Sequence, residues 1–120
     1  PTFRRLIESI EGTDGLVYLA EGTCRRNARA CLENSVTIAG SYRVLRILVN
    51  PHRAPGCQLI EVIGHELQHA VEVLSNPRVR SDAAVVNLFD RIGKTGLGSW
   101  FETAAAVRAG LDVAGEACHR

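Results

Sequence analysis

The chain has 120 residues, of which 46% are hydrophobic and 22% charged, and its formal net charge is +1. This length accommodates one compact domain, residues 1–120, and leaves no room for a second hydrophobic core. The small net charge argues against a nucleic-acid-binding surface, and no stretch approaches the roughly 20 apolar residues of a transmembrane helix.

Two features of the composition bear on the origin and processing of the chain. Lys94 is the only lysine among 14 basic residues, a bias typical of a GC-rich, bacterial genome rather than of a binding surface. The chain starts at Pro1 and contains no methionine. We therefore expect a processed form from which a signal segment has been removed.

The cysteines form an even set of four: Cys24, Cys31, Cys57 and Cys118. In so small a domain this favours two disulfides and an oxidising compartment over four buried thiols. Four cysteines allow three pairings, of which we favour Cys24–Cys31, closing a short loop, with Cys57–Cys118, closing a long one. We therefore expect an exported protein, whether periplasmic, secreted or lipid-anchored.

The first half of the chain combines one helix with several short strands. Apolar residues at helical spacing predict a helix over residues 2–11, and residues 16–24 have the composition of a strand. Residues 25–34 fit a helical turn or a loop equally well. Residues 35–50 predict a hairpin whose second strand, Tyr42–Val49, stops at the Asn-Pro pair that follows it.

The second half is helical. We expect a helix from about Gly56 to Leu74, a second one from Asp82 to Ile92, and a last one capped by Ser99 and running to about Cys118. Helix, strands and then three helices indicate an α+β fold with a small antiparallel or mixed sheet.

The predicted helix that ends at Leu74 carries the informative motif, HELQH. At about 100° per residue it has an apolar face and a polar face. The apolar face contains Ile60, Ile63, Leu67, Ala70, Val71 and Leu74. The polar face contains Glu61, His65, Gln68, His69 and Glu72.

His65 and His69 are one turn apart on that polar face, so their imidazoles can converge on one cation. Glu66 is about 100° round the helix from His65, beside the position of a metal-bound water. This is the HExxH arrangement, in which two histidines hold zinc and the glutamate removes a proton from water. The motif predicts one Zn²⁺ per chain, with Glu66 as the catalytic base.

A catalytic zinc usually has three protein ligands and an open position for water. The extended HExxHxxGxxH pattern is absent, and we predict Glu102, in the first turn of the last helix, as the third ligand. The small residues 104–106 would let that helix pack closely on another. Glu72 lies too far along the helix from His65 to share its metal, and we expect it to receive a histidine N–H instead. Other possible ligands remain open: Asp82, Asp90 and His119.

HELQH followed by ETAAAVRAG resembles a zincin metallopeptidase of the gluzincin type, in which a glutamate on a later helix completes the zinc site. Glu102 and Ala105 match that later motif, whereas Ala106 stands where many members have an aspartate that supports a zinc-binding histidine. The resemblance covers residues 42–110. The small size is similar to the minimal forms called minigluzincins, which implies a short sheet, an active-site helix and a C-terminal glutamate helix. It also implies that strand 42–49 forms the rim of the cleft, where a peptide adds by β-augmentation.

These features predict a monomeric zinc metallopeptidase that acts on a peptide or protein substrate. Two alternatives remain: a zinc-stabilised binding module without activity, and a zinc hydrolase of non-peptide amides or esters. Retention of Glu66 favours an enzyme, because a purely structural site needs only the ligands. The donor to the developing oxyanion is open among four residues: Tyr18, Tyr42, Arg108 and His119.

Overall fold

The structure, a computed structural model, describes residues 1–33, 35–92 and 103–118. This part of the chain forms four α-helices and four strands, with a short 3-10 turn, Arg25–Asn27, before β2. The helices are α1 Thr2–Glu11, α2 Cys57–Leu74, α3 Asp82–Ile92 and α4 Ala104–Ala117. The strands are β1 Gly15–Glu21, β2 Ala30–Leu32, β3 Thr37–Ala39 and β4 Tyr42–Val49. The predicted α+β class and the helix-strands-helices order are confirmed.

The sheet is mixed and β4 is its central strand. β1 runs parallel to β4, with Gly15 opposite Arg43 at one end and Glu21 opposite Val49 at the other. On its second side β4 pairs antiparallel with β3 near its start and with β2 near its end. Because β4 has partners on both sides, a peptide cannot add to it. The prediction that strand 42–49 forms the rim of a substrate cleft is wrong.

Alternate side chains of β4 face the core, and the first of them is an arginine. Arg43 is 1% exposed, and its Nε donates to Asp14 Oδ1 at 2.6 Å. Its terminal nitrogens donate to the carbonyl oxygens of Leu74, Asn76 and Val79 at 2.8, 2.8 and 3.0 Å. Leu74 ends α2, so the guanidinium satisfies carbonyls that lack helical partners and complements the negative end of the helix dipole.

α2 is enclosed by the sheet on one side and by α1 and α4 on others. The buried side of α2 extends beyond the predicted apolar face. Further residues are buried, among them Val62, Glu66, His69 and Val73. α4 begins at Ala104, with Thr103 as its N-cap. The prediction that Ser99 caps this helix is wrong, since Thr103 has an extended backbone, with φ −127° and ψ 149°.

Two disulfides connect the elements, and both favoured pairings are confirmed. Cys24–Cys31 links the segment after β1 to β2. Cys57–Cys118 joins the first residue of α2 to the residue that follows α4, so these two helices run antiparallel. Disulfides of this kind form and persist in oxidising, extracellular environments. Among the described residues, no helix combines the length and apolar character that crossing a bilayer requires.

Candidate metal centre

His65 and His69 lie side by side on α2, with ring centroids 5.0 Å apart and ring planes at 69°. With Zn–N bonds of about 2.1 Å, two imidazoles on one tetrahedral zinc have centroids roughly 3 Å from the ion and about 5 Å from each other. The observed separation fits a shared ion. The spacing of the motif therefore brings the two predicted ligands together in the manner that the chemistry requires.

His69 is held on two sides. Its Nδ1 lies 2.9 Å from Oε1 of Glu72, one helical turn further along α2. The ring of Phe89, from α3, packs edge-on against it with centroids 5.2 Å apart. His69 is 5% exposed, so few orientations are open to the ring. The contact expected between Glu72 and a histidine N–H is present, and its role beside a metal remains a prediction.

The second carboxylate oxygen of Glu72 binds other partners. Oε2 accepts a hydrogen bond from Thr103 Oγ1 at 2.7 Å and a longer one from Gln68 Nε2 at 3.3 Å. Burial alone would raise the pKa of Glu72. The opposite effects, led by the hydrogen bonds with His69 and Thr103, are together larger, so the pKa of Glu72 lies below its ordinary value. The group is therefore an ionised carboxylate at neutral pH, able only to accept hydrogen bonds.

This charge state determines the tautomer of the neutral His69 ring. Since Glu72 can only accept, Nδ1 of His69 must carry the proton, and the lone pair is then on Nε2. Carboxylates hold metal-binding histidines in this way throughout zinc enzymes. The arrangement makes Nε2 the nitrogen with which His69 can bind a cation.

Glu66 is 8% exposed, although it is charged and sits in the middle of a helix. Glutamates are rarely buried unless they are paired or have a chemical role. Val62 and Ala70, one turn before and after it, are also buried, so Glu66 lies on the packed side of α2. Its burial is consistent with the predicted base.

α4 approaches α2 most closely beside His65. A methyl group added at Gly110 would lie 2.7 Å from the carbonyl oxygen of Glu61 and 3.2 Å from Cβ of His65. A methyl group at Gly64 would lie 3.0 Å from Val113. The close approach was predicted at residues 104–106, but Ala104 and Ala105 are exposed and only Ala106 is buried in this stretch. Gly110, one to two turns further along α4, and Gly64 of α2 allow the close approach of the two helices.

The third ligand stays a prediction. Glu102 and His119 lie outside the described residues. Because Thr103 caps α4 and the helix begins at Ala104, the prediction that Glu102 belongs to the first turn of that helix is wrong. Asp82 and Asp90 are exposed on α3, and Asp82 accepts a hydrogen bond from the backbone N–H of Val36 at 3.0 Å. Within residues 1–33, 35–92 and 103–118, no three histidines, cysteines or acidic residues are grouped so as to hold a metal ion.

The structure places two of the suggested oxyanion donors away from the histidines. Tyr18 and Tyr42 are 58% and 49% exposed, on the face of the sheet turned away from the core. Arg108 is exposed on α4, about 200° round the helix from Ala106, which is buried against the core. The role was suggested for these residues on sequence grounds, and it is wrong for the two tyrosines.

Two residues of this site escaped sequence analysis. Phe89 appeared only as one apolar residue of a predicted helix. Thr103 had a usable signal, because a threonine followed by a run of alanines is a good N-cap. Ser99, four residues earlier, is also a favourable N-cap residue type, and the sequence alone does not separate the two.

Two surface depressions formed by described residues lie away from the histidines. One, of about 360 Å³, is on the outer face of the sheet and is lined by Tyr18, Glu33 and Arg46, among others. Another, of about 350 Å³, lies between the start of α1 and the end of α4 and is mostly apolar. Neither depression includes the histidine pair.

Comparison with known proteins adds no relative: no family model, curated protein or solved structure matches this chain.

Proposed function

We propose that the chain is a zinc-dependent metallopeptidase in which His65 and His69 hold one zinc ion and Glu66 is the general base. One observation carries the proposal: the two imidazoles of an HExxH motif lie 5.0 Å apart, and a carboxylate orients one of them. The ordinary alternative, two histidines exposed on an amphipathic helix, accounts neither for the burial of His69 nor for that of Glu66.

Each residue of the motif has a distinct task. When bound, zinc supplies Lewis-acid chemistry, acidifying water and polarising the carbonyl of the bond to be cut. Glu66 takes the proton of the attacking water and delivers it to the leaving amine. Glu72 keeps the proton of His69 on Nδ1, which leaves Nε2 for the metal.

Glu102 remains our proposed third ligand. The support comes from the next residue, Thr103, whose hydroxyl donates to Glu72 at 2.7 Å. Glu102 immediately precedes Thr103 in the chain, and consecutive Cα atoms are about 3.8 Å apart. The start of α4 is thus fixed beside the histidine pair.

A catalytic role for zinc is better supported than a structural one. Structural zinc sites are closed by four protein ligands and often replace a core that is too small. This chain has two disulfides and a continuous core of buried residues from the sheet and all four helices. Both features stabilise the fold without a metal, so a buried Glu66 beside the histidines favours a catalytic role for the zinc. The disulfides also support export as the setting in which a peptide or protein substrate is met.

Glu66→Gln tests the proposal, because it preserves size and hydrogen bonding but removes the base. We expect zinc to be retained and the cleavage of a mixed peptide library, followed by mass spectrometry, to fall by about 10²–10⁴-fold. Glu33→Gln makes the same change on the outer face of the sheet, which is turned away from α2, and should cleave at the wild-type rate. Equal turnover of the wild type and Glu66→Gln would refute the role of Glu66. Zinc binding without cleavage by the wild type would favour a non-catalytic module.

A further inference from the structure

Thr103 makes two hydrogen bonds with one hydroxyl group. Its oxygen accepts from the backbone N–H of Ala106 at 3.1 Å, which caps α4. The same hydroxyl donates to Oε2 of Glu72 at 2.7 Å. A hydroxyl has one proton and two lone pairs, so both roles can be filled at once. Thr103 is 7% exposed, which limits competition from water.

The two oxygens of Glu72 are divided between two helices. Oε1 faces Nδ1 of His69 on α2, while Oε2 faces Thr103 at the start of α4. Gln68 also donates to Oε2, but at 3.3 Å and from within α2. The short hydrogen bond from Thr103 therefore sets the plane of the carboxylate, and that plane keeps Oε1 on His69.

We propose that Thr103 is a positioning residue, which acts through Glu72 to hold His69 as the Nδ1–H tautomer and so presents Nε2 to the metal. The metal-binding part of this inference rests on the proposed function. The tautomer of His69 does not, because it is set by hydrogen bonds that need no metal. Thr103 also couples the two helices: a shift of the first turn of α4 would loosen Glu72 and, with it, His69.

The primary test is the tautomer of His69 in zinc-free protein, measured from its ring ¹⁵N shifts with the imidazole neutral. We expect mainly Nδ1–H in the wild type and in Thr103→Ser, which keeps the hydroxyl. In Thr103→Val, which has the same shape without the hydroxyl, the Nδ1–H fraction should fall. His65 in the same spectra is the internal control and should not change. Equal His69 tautomer fractions in the wild type and Thr103→Val would overturn the proposal.

Glu72→Gln gives a second test that leaves the cap of α4 intact. Thr103 and Gln68 both donate to one side of residue 72, so the amide should turn its oxygen towards them and its NH₂ towards His69. Nδ1 must then accept, and His69 should change to the Nε2–H tautomer. A Glu72→Gln protein that keeps Nδ1–H would contradict the proposal, even where Thr103→Val does not fold.

Zinc affinity, measured by competition with a chromophoric chelator, links the tautomer to the metal. Loss of such a supporting hydrogen bond typically weakens metal binding by about 10–100-fold, which is what we expect for Thr103→Val, with recovery in Thr103→Ser. Unchanged affinity in Thr103→Val would refute the positioning role. The two proposals can fail separately. If the wild type binds no zinc but the variants change the tautomer of His69, the proposed function is refuted, while the positioning of His69 by Thr103 through Glu72 is supported.

Discussion

Gly110 of α4 lies directly against His65 of α2, where an added methyl group would be 3.2 Å from the histidine Cβ and 2.7 Å from the carbonyl oxygen of Glu61. A backbone oxygen cannot move aside as a side chain can. We expect Gly110→Ala to push α4 away, to destabilise the fold by about 1–3 kcal/mol through overpacking, and to weaken zinc binding by displacing His65.

Gly115 provides the matched control on the same helix, because nothing lies within 4 Å of a methyl group added there. Gly115→Ala should be neutral or stabilising by up to about 1 kcal/mol, the helix-propensity difference between the two residues. Urea denaturation of both variants measures the difference. If Gly110→Ala is as stable as Gly115→Ala, the close contact of α4 with His65 is not present.

Arg43 should contribute strongly to stability. Arg43→Met removes the hydrogen bonds to three carbonyl oxygens and to Asp14, and leaving a buried acceptor without its donor typically costs about 1–3 kcal/mol. Arg46→Met, on the exposed face of the same strand, should change stability by no more than about 0.5 kcal/mol. Equal unfolding midpoints for the two variants would contradict this role of Arg43.

Asp14 predicts a specific pH dependence of stability. The hydrogen bond from Arg43 lowers the pKa of Asp14 below its ordinary value in the folded state. The contribution of ionised Asp14 to the stability of the fold is therefore complete above its unfolded-state pKa, about 3.9. It is lost as the pH falls through the lower pKa of the folded state. Asp14→Asn should be less stable than the wild type at pH 7, and the gap should narrow below about pH 4. A gap that is constant from pH 7 to pH 2.5 would show that the charge of Asp14 is not involved.

The two disulfides should differ in what they contribute. Cys57–Cys118 spans 61 residues and Cys24–Cys31 spans 7. Loop-closure entropy then gives about 4 kcal/mol for the long loop and about 2 kcal/mol for the short one. The Cys57→Ser/Cys118→Ser double variant should therefore unfold at lower urea than Cys24→Ser/Cys31→Ser. The reverse order would mean that the short loop also holds β2 in place by contacts that loop entropy does not include.

Much of the fold could be predicted from local signals. β4 ends where Asn50-Pro51 stops it, and α2 begins within one residue of the predicted start. β2 could not be predicted, because three residues form a strand only through pairing with β4 and the constraint of Cys31. The parallel pairing of β1 with β4 is likewise a property of the assembled sheet.

The residues of the candidate site also differ in whether the sequence alone relates them to one another. His65, Glu66, His69 and Glu72 lie on one helix, so helical geometry alone relates them. Thr103 joins them only through the packing of α4 on α2, which no local pattern specifies. Arg43 carried a signal that was not used: it is in phase with Leu45, Ile47 and Val49, the residues of β4 that face the core.

The most direct test of the central claim is the zinc content of the purified chain and of its histidine variants. Two histidines and one further ligand make a single site, so the wild type should hold about one zinc ion. His65→Ala and His69→Ala should each lose it, while His52→Ala, an exposed histidine in the loop before α2, should keep it. A wild-type chain without zinc, or variants of both His65 and His69 that retain it, would contradict the account.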